Sequence, residues 1–267
     1  SSFFFVYDHE AKRLYEAEGN SPFAFGTAIS DHARKGEAVF RGRSLSASIQ
    51  YDDETRVEVR AKTAKGEVTL SARIDESLQT LTPHQTITPT PTPGRFTCTH
   101  KAAGMPAWGE LRLDGKSIPL SRDTAFAITD HTVGVHDAHW EWRWACFGGL
   151  AKDGRRVGLN LVEPVFDPVN QENALWVDGR HYPVSAARFS LNPKAPLDPW
   201  HIVSEDGQVD LRFVPIGERA KTLNVGLLLS AYRQPFGHFT GVLRPAKGPA
   251  IEIERISGVV ELHEARW

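Results

Sequence analysis

Between Asp130 and Trp144 the chain reads Asp-His-Thr-Val-Gly-Val-His-Asp-Ala-His-Trp-Glu-Trp-Arg-Trp. Acids, imidazoles and indoles in one short segment suit the wall of an apolar cavity with a few aimed polar groups. Asp130 stands beside His131. Half-buried, such a carboxyl is pushed up and can serve as a general acid at neutral pH; alternatively Asp130 caps its own backbone in a turn. His131 or His139 would orient that acid or relay its proton. His136, Asp137 and His139 have the types of metal ligands, but in a strand positions 136 and 139 point to opposite faces, so no metal is assigned. Trp140, Trp142 and Trp144 share one face by the period of two, with Glu141 and Arg143 on the other. A row of indoles packs a core, lines a site for an apolar ligand, or stabilises a cation over its faces.

Further polar groups recur downstream. Glu172-Asn173 follows an irregular stretch from Pro164 to Gln171, and His238 sits close to Phe236 and Phe239. If 257–267 is a strand, Glu261 and His263 share a face. No Gly-x-Ser-x-Gly, phosphate-loop or dinucleotide fingerprint occurs.

The elements that must position these groups are strands. Leu45, Ala47, Ile49 and Tyr51 alternate with polar residues, as do Val57, Val59 and Ala61, and Val68, Leu70, Ala72 and Ile74. That alternation puts one face on a core. Asp52-Asp53 and Lys65-Gly66 separate these runs as hairpin turns. Asp114-Gly115, Asp153-Gly154, Asp178-Gly179 and Asp206-Gly207 mark further tight turns between antiparallel strands. Residues 80–94, with Pro83, Pro89, Pro91 and Pro93, read as a connection or an extended polyproline crossing, because proline cannot donate to a ladder. No segment shows a long helical period, so a β-meander of barrel or sandwich type is expected.

At 267 residues, the chain is long enough for one large all-β domain or two smaller ones, and for a core that needs neither metal nor disulfide. Lys plus Arg is 31 and Asp plus Glu is 33, a net charge of -2. No basic block stands out and no apolar run spans a bilayer, so neither a nucleic-acid partner nor an integral membrane segment is expected. The opening Ser-Ser-Phe-Phe-Phe-Val-Tyr lacks the features of a signal peptide and reads like the middle of a strand, as if a segment preceded it. Cys98 and Cys146 form no Cys-x-x-Cys pair and are expected as separate thiols in a reducing, cytoplasmic compartment.

Several of these segments resemble a known family. Asp130-His131-x-x-Gly134 followed by Trp140-x-Trp142 resembles the carotenoid 1,2-hydratase-like (hydroxyneurosporene synthase-like, AttH-like) superfamily. A closer resemblance is to a related family, domain of unknown function 2804. It is carried by Val157-Gly158-Leu159-Asn160-Leu161, Glu172-Asn173-x-Leu175-Trp176-x-Asp178-Gly179, Pro199-Trp200, Val209-Asp210-Leu211-x-Phe213-x-Pro215, Gln234-x-Phe236-Gly237 and the closing Glu261-x-His263-x-Ala265-Arg266-Trp267, with Phe96-x-x-Thr99-x-Lys101 matching upstream. The resemblance implies two lipocalin-like (calycin) antiparallel β-barrels packed side by side, 1–128 and 129–267. It also implies an apolar cavity near the Asp-His strand and a proton donor at Asp130.

The function expected is a cofactor-independent enzyme acting on a hydrophobic small molecule, by acid-catalysed hydration, isomerisation or cyclisation of a carbon–carbon double bond. Asp130, His131 and His139 would be catalytic. Trp140, Trp142, Glu172, His238, Glu261 and His263 would face the substrate. The alternative is a non-catalytic carrier of a lipid or pigment; a metal enzyme using the 136–139 cluster with His238 or His263 is a third reading.

Overall fold

The computed structural model describes residues 2–226 and 228–266. Ser1, and Trp267 of the closing motif, lie outside the described residues. Among the described residues, every regular element apart from a 3-10 turn at Pro22–Ala24 is a strand. The chain divides into two compact units, 1–80 with 106–125 and 81–105 with 126–267. Residues 81–105 thus group with the second unit rather than with the strands that precede them.

In the first unit, β1 (Ser2–Asp8) and β2 (Arg13–Gly19) form a hairpin. A meander follows: β3 (Thr27–Ile29), β4 (Gly36–Arg41), β5 (Leu45–Tyr51), β6 (Glu54–Thr63) and β7 (Gly66–Asp75). The alternation read from 45 to 74 is the alternation observed. Leu45, Val59, Ala61 and Val68 turn inward with Phe40, Tyr15 and Leu113 to make the apolar core of this unit.

β8 (His84–Pro89) falls inside the proline-rich stretch expected to be a crossing. It pairs with the next strand from His84↔Lys101 to Pro89↔Phe96. The run His-Gln-Thr-Ile-Thr is free of proline and includes β-branched residues, so it holds a ladder while the prolines stand at its ends. β9 (Phe96–Leu113) is long: its first half belongs to the second unit and its second half to the first. β10 (Lys116–Leu120) closes the Asp114-Gly115 hairpin.

The second unit continues with β11 (Phe126–Gly134), β12 (His139–Leu150), β13 (Arg156–Glu163), β14 (Ala174–Val177), β15 (Arg180–Pro183), β16 (Ala187–Ser190), β17 (Trp200–Ser204), β18 (Val209–Val225), β19 (Leu228–Leu243) and β20 (Ile251–Arg266). β12 to β20 form one antiparallel sheet in the order β15-β14-β13-β12-β20-β19-β18-β17-β16. The sheet curls until β16 comes back against β13. At Asp178-Gly179 both turn residues have positive φ (50° and 81°), as the tightest antiparallel hairpin requires. The concave face holds Phe147, Leu159, Trp200, Phe213, Phe239 and Val260 in a closed apolar core. The protein is therefore all-β, built from antiparallel sheets, and that of the second unit curls on itself. Among the described residues no helix is long and apolar enough to cross a membrane.

Candidate functional site

The polar groups of interest lie on the other face of that curled sheet. Because side chains alternate, Ala145 and Phe147 enter the core while Trp142, Trp144 and Cys146 point the opposite way. On β20, Val260 is a core residue and Glu261 and His263 are not. Register brings these residues together: Trp142 pairs with His263, Trp144 with Glu261, and His263 with Tyr232 of β19.

Glu261 is the centre. It is buried, 8% exposed. The Trp142 indole N–H donates to its Oε1 at 2.8 Å, the Gln234 amide donates to Oε2 at 3.3 Å, and the Tyr232 hydroxyl also hydrogen-bonds it. Burial pushes its carboxyl up to about 7, although the hydrogen bonds from Trp142 and Tyr232 oppose the rise. Asp130 adds to the rise and Lys101 counters it. Around the carboxyl stand half-buried rings: Trp142 and His263 with centroids 4.3 Å apart, and Tyr232 edge-on to His263 at 5.3 Å. Burial lowers His263, whose Nε2 is 2.9 Å from the Ser230 hydroxyl. Burial also raises the Tyr232 phenol, and the buried Arg219 guanidinium lies 5.5 Å from its ring.

A second cluster borders the first. Lys101 of β9 has a side chain only 5% exposed, and its Nζ lies 2.6 Å from Asp130 Oδ1 and 3.0 Å from Glu172 Oε2. Burial opposes its charge, but the two carboxylates outweigh that and hold the ammonium above its ordinary range. Glu172 is fixed through its backbone as well: its carbonyl accepts from Asn160 Nδ2 at 2.9 Å, while Asn160 Oδ1 accepts from the Trp144 indole at 2.8 Å. Cys146, fully buried, feels Asp130, Glu261 and Lys101 together.

Glycines make this approach possible. A Cβ on Gly104, where φ is +83°, would lie 2.7 Å from the Val157 carbonyl oxygen; one on Gly148 would lie 2.8 Å from the Gly104 backbone; one on Gly158 would run into the Ala103 carbonyl. β9 therefore lies against β12 and β13 backbone to backbone, which delivers Lys101 into the sheet face.

The residues singled out from sequence separate into groups. Trp142, Glu261 and His263 are joined directly. Asp130 and Glu172 meet on Lys101, and Asp130 and Lys101 each act on Glu261 through their charge. Asp130 is not an isolated carboxylic acid in an apolar hollow: its side chain is 35% exposed and takes the ammonium, with a weaker 3.3 Å contact from the Thr132 hydroxyl. His131, its neighbour, is half-buried. His139 is on the surface, bonded to Glu264 at 3.2 Å, and does not orient Asp130. Trp140 packs against Phe166 and, edge-on, against His136. His238 stands four residues beyond Gln234 on β19, about 13 Å along the strand, near Ser257. The 136–139 group disperses, with Asp137 facing Arg95 and Thr90. Among the described residues no set of three or more His, Cys, Asp or Glu is placed to hold a metal.

Lys101, Tyr232, Gln234 and Asn160 carry no role in the sequence reading. Lys101 entered that reading only through the Phe96-x-x-Thr99-x-Lys101 match. His84 and His181 form a further half-buried pair, ring nitrogens 2.8 Å apart, with His84 also 2.7 Å from the Gln171 carbonyl. Burial, then the neighbouring His84, brings His181 down to about 4.

No curated protein matches the chain. Among solved structures it is similar to an AttH candidate from Nitrosomonas europaea (11% identity, 87% of this chain and 82% of that one, TM-score 0.40) and to kievitone hydratase from Nectria haematococca (12% identity, 97% and 76%, TM-score 0.42). The profile of one protein family, described as a domain of unknown function (DUF2804), matches residues 1–267. The chain belongs to the DUF2804 family.

Proposed function

We propose that the protein is a cofactor-independent acid–base enzyme that protonates a carbon–carbon double bond of a neutral, largely apolar small molecule. One observation carries the reading: Glu261 is a buried carboxyl raised to about 7 and ringed by Trp142, Tyr232 and His263. A carboxylic acid kept protonated near neutral pH is the group needed to protonate an unactivated alkene. In this reading the donor is Glu261, and Asp130 is a charged neighbour of the donor.

Proton transfer from Glu261 to one alkene carbon leaves a carbocation on the other and a carboxylate on the enzyme. The faces of Trp142 and Tyr232 stabilise that cation. Water then adds and its proton returns to Glu261 (hydration); alternatively an adjacent C–H proton is lost to the Glu261 carboxylate (isomerisation), or a second double bond attacks and the new cation so formed loses a C–H proton to that carboxylate (cyclisation). Each route regenerates the acid. Trp140, Phe166 and His136 extend the aromatic lining. A carrier of lipids or pigments would need no acid aimed among its rings.

A panel of neutral alkenes, including acyclic polyenes and prenylated phenols, incubated in D2O tests the proposal. The expected products carry added water or carbon-bound deuterium by mass spectrometry. Glu261→Gln should abolish turnover while retaining ligand quenching of tryptophan fluorescence. Binding without turnover across the panel, unaltered in Glu261→Gln, would make the protein a carrier. Loss of turnover at every pH in Asp130→Asn, with Glu261→Gln still active, would return the donor role to Asp130.

A further inference from the structure

We propose that Lys101 is a positioning residue: its ammonium clamps Asp130 of β11 and Glu172 of the loop after β13 into one charged wall beside Glu261. The inference rests on Glu261 as the acid and adds what holds that acid in its working environment.

A buried ammonium persists only when its charge is met. One carboxylate would suffice. Lys101 meets two, at 2.6 and 3.0 Å, from elements more than forty residues apart, so the triad carries one negative charge in excess. The groups acting on Glu261 come from every strand packed about it. They are Lys101 from β9, Asp130 from β11, Trp142 and the Cys146 thiol from β12, Tyr232 and the Gln234 amide from β19, and His263 on its own strand. The formal charges among them belong to Lys101 and Asp130, and these act in opposite directions. The clamp therefore does two jobs. It sets the balance of charge beside the acid, and it ties the loop 164–173, which carries Phe166 over Trp140, to the strand that carries Asp130.

The test requires no substrate. In protein labelled with 13C at glutamate carboxyls, the Glu261 resonance is assigned by its loss in Glu261→Gln and titrated by NMR. Lys101→Met should move the midpoint up, because a stabilising cation is gone. Asp130→Asn should move it down, because a repelling anion is gone. Amide exchange across 164–173 should rise in Lys101→Met. If neither variant moves the midpoint, or if the two move it in the opposite sense, the clamp is overturned while Glu261 stays the acid. If Glu261 in the unaltered protein titrates in the ordinary glutamate range, the acid falls and the clamp with it. Should Lys101→Met fail to fold, Asp130→Asn alone decides the charge effect, and Glu172→Gln, which keeps a polar partner for the ammonium, decides the loop: exchange across 164–173 must rise.

Discussion

Glu261 and Asp130 are chemically similar side chains given different work by their neighbours. Asp130 meets an ammonium; Glu261 meets indole, phenol and amide. The consequence for Glu261 is a measurable pH dependence of stability. Its folded value, about 7, lies above the 4.5 of an unperturbed glutamate. Between those values the unfolded chain has released the proton and the folded chain still holds it, so this group's stability contribution is complete below the unfolded value and lost as pH rises through the folded one. At about 1.4 kcal/mol per unit, the loss approaches about 3 kcal/mol. Glu261→Gln should abolish it: the difference in denaturant midpoint between variant and wild type should grow in the variant's favour from about pH 4.5 to 7 and then level off. Trp142→Phe removes a donor that favours the ionised form. Its expected effect is a further rise in the Glu261 midpoint, read by the same carboxyl titration.

At the scale of elements, the site depends on β9 touching β12 and β13. Gly158→Ala places a methyl group against the Ala103 carbonyl and Cβ, with no flexible side-chain end there to yield. The expected cost is about 3 kcal/mol or more in thermal or urea unfolding. Gly154→Ala is the control. Its φ is +84° but the space around its Cβ is open, so only backbone strain of about 1 kcal/mol is expected. Equal costs for the two would mean that β9 does not lie this close. The strands themselves were legible: the period of two from 45 to 74 and the Asp-Gly turns fall where the alternation and turn chemistry put them. β8 was not, because four prolines in fifteen residues masked a five-residue run able to pair. Lys101 was not either, since its partners lie on β11 and on a loop some seventy residues away, and nothing local distinguishes a clamped lysine from a solvated one.

For the molecule as a whole, the two thiols give a simple readout of the two environments. Cys98 is exposed and Cys146 buried, and they are not bonded to one another. Burial raises the Cys146 thiol well above its usual range, and Asp130 and Glu261 add to the rise. A thiol reagent such as DTNB should modify one cysteine per native chain quickly and the second only on unfolding. Rapid modification of both would mean that the face carrying Glu261 is open.

Sequence by itself determined that the chain is a β-meander, that Trp142 shares a face with Trp140 and Trp144, and that Glu261 shares one with His263, because these follow from alternation along a single strand. Which carboxyl burial raises and which one an ammonium meets is a different kind of fact. It depends on where a lysine from β9 arrives, on three glycines that let backbones meet, and on a register that sets Trp144 opposite Glu261. Charge state is set by neighbours through space, and only the tertiary structure decides who those neighbours are.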